Sequence, residues 1–191
     1  MKVSAKQFLH DEDGSQSIEL MFMVPLLVWS ICAMLAFTEA FKIRGVAMDA
    51  TAAIADTLSR QTTPIDRQDL VGLQAVAGQL TGYGDEVKLR ITQLRCARRC
   101  NDPDQRVLRV IFSKGEGLAS LKNADFEAGS HRDKVPMLSR GDRIILVETS
   151  FTHRPIANVG LSPQLVEINQ ATRMRFAPQL CWKECNVKAT S

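Results

Sequence analysis

Between Leu20 and Phe37 the chain runs for 18 residues without a formal charge (LMFMVPLLVWSICAMLAF). At 1.5 Å of rise per residue this run spans about 27 Å as a helix, close to the hydrocarbon thickness of a bilayer. With 191 residues and 45% apolar content, the chain suits one membrane segment plus one soluble domain rather than two large domains. Glu19 stands immediately before the run, five residues after Gly14. A carboxylate costs about 2.5 kcal/mol or more at mid-bilayer and less near the interface. Keeping one there implies a compensating gain.

The residues around this run extend it into a longer helix. Residues 1–14 are polar, without apolar periodicity, and read as a leader. Helix is expected to start near Ser15 or Ser17, hydroxyls suited to capping free backbone amides. Pro25 removes one backbone bond inside the apolar helix and predicts a mild kink, which membrane helices tolerate. Beyond Phe41 the pattern turns amphipathic: Ala47, Ala50, Ile54 and Leu58 fall at helical spacing, while Asp49, Asp56 and Arg60 face elsewhere. The helix is therefore expected to continue as a stalk to about Gln61, with Gly45 a candidate weak point. Thr63-Pro64-Ile65-Asp66 then offers an N-cap, a proline at the first helical position and an acid in the first turn. Leu70, Leu73, Ala77 and Leu80 form the apolar stripe of this second helix, and Gly82 is its natural stop.

From Asp85 the period changes to two. Val87, Leu89 and Ile91 alternate with Lys88, Arg90 and Thr92, the pattern of a half-buried strand. Cys96–Gln105 reads as a turn region and Arg106–Ser113 as the returning strand of a hairpin. Residues 114–141 are polar, with a short helix expected around Leu118–Phe126. Asp142–Thr152 is the strongest strand signal. Residues 156–170 show no regular pattern, and Ala171–Trp182 alternates again, Thr172, Met174 and Phe176 against Arg173 and Arg175. Four strands after N-terminal helices imply an α+β fold, an antiparallel sheet packed on the long helix. The expected division is a leader (1–14), a membrane helix (15–41), a stalk and second helix (42–82) and a β-rich domain (83–191).

Cys32 lies in the apolar run, where a thiol is a small hydrophobe. The other four cysteines form two Cys-x-x-x-Cys pairs, Cys96/Cys100 and Cys181/Cys185. An even number in the soluble part favours disulfides in an oxidising compartment, with all three connectivities open. A four-cysteine zinc site is the rival reading. A net charge of +3 is too small and dispersed to imply nucleic acid as a partner. The one basic spot, Arg95-Cys96-Ala97-Arg98-Arg99, lacks interleaved aromatics and reads as a solvated turn.

Little in the chain suggests catalysis. His131-Arg132-Asp133 matches a kinase triplet, but no glycine-rich loop or Asp-Phe-Gly accompanies it. His10 falls in the leader, and His131 and His153 read as surface or strand-edge residues. Several acids between Glu116 and Asp142 have nothing to pair them as acid and base. No phosphate-cradling glycines, nucleophile elbow or histidine-rich metal signature is present. Neither enzyme activity nor a cofactor is expected.

The N-terminal pattern also carries a resemblance. Gly14, Glu19 and Met21-Phe22-Met23-Val24-Pro25-Leu26-Leu27 resemble the N-terminus of type IV pilin-like proteins. More narrowly, Phe8, Asp11-Glu12-Asp13-Gly14, Ile18-Glu19 and Val24-Pro25 resemble the TadE-like minor pilins of tight-adherence pili. Looser likenesses are Val147-Glu148-Thr149-Ser150-Phe151 ending in Arg154-Pro155, and Arg173 with Arg175-Phe176-Ala177-Pro178. The resemblance implies that a prepilin peptidase cuts between Gly14 and Ser15. It makes Glu19, fifth residue of the mature chain, the assembly residue that neutralises a neighbour's N-terminal amine. A pilin-like fold and an assembly role in a surface filament follow, with the peptidase, the major pilin, other minor pilins, the inner-membrane platform and membrane lipid as partners. A secretory signal fits the basic start in outline, but the apolar run is long for one and no small-x-small site follows it convincingly.

Lys2 and Lys6 on one side against Lys42 and Arg44 on the other leave charge-based topology tied. The paired cysteines and the resemblance both imply a cytoplasmic N-terminus and a periplasmic C-terminal domain. The alternative is a single-pass anchored extracytoplasmic binding domain that never enters a filament, using a sheet face or the 156–170 stretch.

Overall fold

The computed structural model describes residues 15–127, 129–155 and 159–185. They form a long helix α1 (Ser15–Arg60), a shorter α2 (Arg67–Thr81) and strands β1 (Lys88–Arg98), β2 (Val107–Glu116), β3 (Arg143–His153) and β4 (Gln164–Arg173). Short 3₁₀ turns cover Gly84–Glu86 and Asn123–Phe126, and a single helical turn covers Ser130–Asp133. The fold is α+β, with the strands antiparallel in the order β2-β1-β3-β4. The chain divides into two compact units, Met1–Phe41 with Arg154–Pro163 and Lys42–His153 with Gln164–Ser191.

In the first unit α1 carries Pro25 without being ended by it. Leu20 to Leu27, Trp29, Met34 and Phe37 are all exposed. A helix apolar all round has no polar side to give to water. It is the one described helix long and apolar enough to cross a membrane, as a single-pass anchor requires.

In the second unit the rest of α1 packs on the sheet. Ala47, Ile54, Ala55 and Leu58 share a core with Leu89 and Ile91 of β1, Ile145, Val147 and Phe151 of β3, and Ile168 of β4. The small alanines let the helix approach closely, and the approach is pinned by a polar pair. Buried Thr51 donates to or accepts from Thr149 (Oγ1–Oγ1 2.7 Å), while its Oγ1 also lies 2.7 Å from the Ala47 carbonyl. The helix passes through Gly45 unbroken.

The second helix starts later than its sequence suggests. Asp66, not Thr63, is the N-cap: its carboxylate accepts from Gln68 N (2.7 Å) and Asp69 N (3.1 Å), and Asp69 accepts from Asp66 N (2.9 Å). This reciprocal capping satisfies amides that otherwise lack partners. Pro64 stays outside the helix because Ile65 is held extended by the C-terminal segment. Ile65 N donates to Cys181 O (2.9 Å), and Lys183 N donates to Ile65 O (2.8 Å). Gly82 ends the helix in the left-handed conformation, φ 77°, which glycine adopts without steric cost.

The opposite face of the sheet is covered as well, which the alternation did not predict. Leu94, Cys96, Leu108, Ile144 and Leu146 form a second core with Leu121, Phe126, Val135 and Leu138 from the β2–β3 connection. Arg90 and Thr92, expected to face water, are consequently buried. β1 also runs on through Cys96 to Arg98, so Cys96 is a strand residue rather than part of a turn.

The last strand is the clearest correction. It is Gln164–Arg173, paired with β3 from His153↔Gln164 to Ile144↔Arg173, not Ala171–Trp182. As an edge strand it has only Ile168 buried, so no alternating signal marks it. Residues 174–185 instead tie the elements together: Arg175 N donates to Ser59 O at the end of α1 (2.9 Å). With its amide oriented to satisfy both groups, buried Gln93 donates to Leu180 O (2.8 Å) and accepts from Leu180 N (2.7 Å).

Candidate functional site: the anchor helix and the charged groups of the domain

The helix that carries the sequence-derived site begins at Ser15; Gly14 lies outside the described residues. Glu19 is in the second turn and exposed, flanked by exposed Ile18 and Leu20. It is the last charged residue before the uncharged run. At that place a carboxylate is open to a group on another molecule. Pro25 follows within the same helix, six residues on. Glu39, beyond the other end of the uncharged run, is half-buried.

The four paired cysteines resolve into two local disulfides, Cys96–Cys100 and Cys181–Cys185. Both are structural staples. The first closes the turn after β1; the second closes the segment that pairs with Ile65. With all four sulfurs bonded in pairs, no thiolate is left among them to share a zinc ion. Cys32 is free and half-buried in the anchor.

One of the domain's two histidines sits differently from the sequence expectation of a surface or strand-edge place. His153 is buried rather than at the surface, with Nδ1 2.5 Å from the Tyr83 hydroxyl, and the Tyr83 ring lies 4.6 Å from that of Phe151. His131 packs edge-on against Phe126 with ring centroids 6.1 Å apart. Asp133 is adjacent in sequence only, and the triplet assembles no acid–base pair.

The domain holds one buried charged cluster that sequence reasoning missed. Arg90 and Glu148 are direct cross-strand partners. Glu148 Oε2 accepts from Arg90 Nε (2.7 Å) and lies 2.6 Å from Arg90 Nη2, while Oε1 accepts from Lys134 Nζ (2.9 Å). Arg90 Nη1 also donates to Ala119 O (2.8 Å). Both carboxylate oxygens are therefore occupied by cations, so Glu148 is a crosslink between the sheet and the 117–134 connection rather than an available base. An adjoining cavity of about 290 Å³ is lined by these residues with His131, Glu167 and Asn169. The available signal was Glu148 itself, the lone carboxylate of β3 and directly after the apolar run Ile144–Val147, which demands a cation when buried.

Two further arginines are perturbed. Burial, and then the neighbouring Arg132 charge, lower Arg106 below its ordinary value. Its guanidinium donates to the carbonyls of Pro136 (2.7 Å), Arg132 (2.8 Å) and Val135 (2.6 Å), holding that turn against β2. Arg143 is lowered by burial and then by Arg95. No cluster of three or more His, Cys, Asp or Glu side chains among the described residues is arranged to hold a metal ion. No family model, curated protein or solved structure matches this chain.

Proposed function

We propose that this protein is a minor pilin-like subunit that works by packing in a membrane-anchored filament, not by catalysis. The observation that carries the reading is α1 itself: one 46-residue helix, exposed and apolar through its first half and built into a sheet domain through its second. An anchor fused without interruption to a folded domain is what lateral packing of subunits requires. The N-terminal resemblance to TadE-like proteins and the two staples of the domain support the same reading.

In this account a prepilin peptidase removes residues 1–14 and leaves a positive amine on Ser15. Glu19 of one subunit pairs with the amine of another where water is scarce. Leaving either charge unpaired in that setting is costly, so the pair penalises wrong axial register more than it adds net stability. The domain lies on the periplasmic side of the inner membrane, and the partners are the major pilin, other minor pilins and the assembly platform. The test is Glu19→Ala followed through fractionation. The variant should still enter the membrane yet be missing from sheared surface filaments that contain the parent. Normal incorporation would rule out the role given to Glu19.

A further inference from the structure

Positive charge is concentrated at one end of the sheet. Residues 95–109 and 139–143 hold seven arginines against three aspartates, an excess of four where the whole chain carries +3. The strand register places three of the arginines side by side. Arg95 of β1 stands opposite Arg109 of β2 and opposite Arg143 of β3, so the three share one face in a row across neighbouring strands.

Like charges directly opposite one another destabilise a sheet, and this row has no acidic partner among the described residues. Two of the three nearby aspartates are engaged elsewhere. Asp102 accepts from Asp104 N (2.9 Å) and Gln105 N (3.1 Å); Asp142 accepts from Ser139 N (3.3 Å) and lies 3.8 Å from Arg173. Arg143 donates from Nη1 to Pro178 O (3.1 Å), while its buried Nε has no partner. The turns on either side are fixed in place. The Cys96–Cys100 disulfide closes one, and Gly141 N donates to Cys96 O (3.3 Å) to hold the other beside it. Arg99 and Arg140, from those two turns, line a shared cavity of about 440 Å³.

We propose that the Arg95–Arg109–Arg143 row is a docking surface for the acidic face of a helix on a partner protein. The pitch selects the partner. Opposed residues on antiparallel strands are about 4.5–5.5 Å apart, so the three span about 10 Å. Helix residues three and four apart are about 5–6 Å apart, and positions i to i+7 cover about 10.5 Å. Carboxylates at i, i+4 and i+7 therefore meet the row one to one, each suited to the forked geometry of a guanidinium. An extended chain repeats on one face about every 6.7 Å, which does not match. The inference does not depend on the filament reading.

The test uses the full chain in detergent at low ionic strength, with fluorescence anisotropy of labelled probes. One probe is a helical peptide with glutamates at i, i+4 and i+7; a second has the same composition with glutamates at i, i+2 and i+5; the third is polyphosphate. The first peptide should bind about tenfold tighter than the second, and Arg95→Gln with Arg109→Gln should remove that difference. Arg143 is left intact because it holds Pro178. Without peptide, the double variant should melt no lower than the parent, since a like-charge pair has been removed. Equal binding of the two peptides, polyphosphate binding as tightly as the first peptide, unchanged binding by the double variant, or a lowered melting temperature would each overturn the proposal.

Discussion

Replacing Glu148 by Gln separates a buried charge from its partner with almost no change of volume. Arg90 and Glu148 expose only 10% and 6% of their side chains, whereas Lys134 exposes 23%. Glu148→Gln leaves the Arg90 guanidinium buried against a neutral amide, a loss of about 3–5 kcal/mol for a broken buried pair. That is a large part of the 5–15 kcal/mol by which a domain is typically stable. Replacing both members by apolar residues, Arg90→Met with Glu148→Leu, removes the desolvation cost together with the attraction. Such replacements are often close to neutral, leaving about 1 kcal/mol for the donor lost by Ala119 O and about 1 kcal/mol or less for Lys134, which also loses its carboxylate. Lys134→Met should cost about 1 kcal/mol or less, because Lys134 is the more exposed partner. Urea unfolding of the full chain in detergent reads all three, followed by Trp182 fluorescence in a Trp29→Phe background. The reasoning fails if the double variant is as unstable as Glu148→Gln alone, or if Lys134→Met costs as much as Glu148→Gln.

Two glycines of α2 should respond with opposite sign. Gly72 is exposed and has no atom within 4 Å of where a Cβ would stand, so Gly72→Ala should stabilise by about 0.8–1 kcal/mol. At Gly78 the added carbon would run into the backbone carbonyl of Gly84, so Gly78→Ala should destabilise, with overpacking costs of about 1–3 kcal/mol set against the same propensity gain. Thermal melts of the two variants check this; a rise for both would show that the Gly78–Gly84 approach is loose. Tyr83→Phe removes the hydroxyl at His153 Nδ1 and should cost about 1–3 kcal/mol, the penalty of a buried group left unpaired. An unchanged unfolding midpoint would contradict that.

The parts of the fold that were legible in the sequence are those with one-sided environments. The uncharged run marked α1, its later stripe marked the face that meets the sheet, and the apolar Asp142–Thr152 stretch marked β3 within a residue. What failed did so for physical reasons. Sequence alternation supposes one wet face, but the 117–138 connection folds over that face of the sheet and turns Arg90 and Thr92 into interior residues. β4 is an exposed edge strand, so its side chains carry no pattern to read. The start of α2 was misplaced because pairing between Ile65 and Trp182, a contact between residues far apart in the chain, holds Pro64 out of the helix. The cysteine spacing favoured disulfides but left their connectivity open; in the fold both pairings are local. At the proposed assembly site Glu19 was conspicuous for the opposite reason, a charge at the edge of a stretch that excludes charge.

Intact mass of the protein extracted from native membranes bears most directly on the claim that a processed anchor helix joined to a stapled domain is the working part of this chain. The account predicts a mass lower than the 191-residue sequence by residues 1–14, and lower again by the four hydrogens lost in forming two disulfides. A mature product that retains residues 1–14 would contradict it.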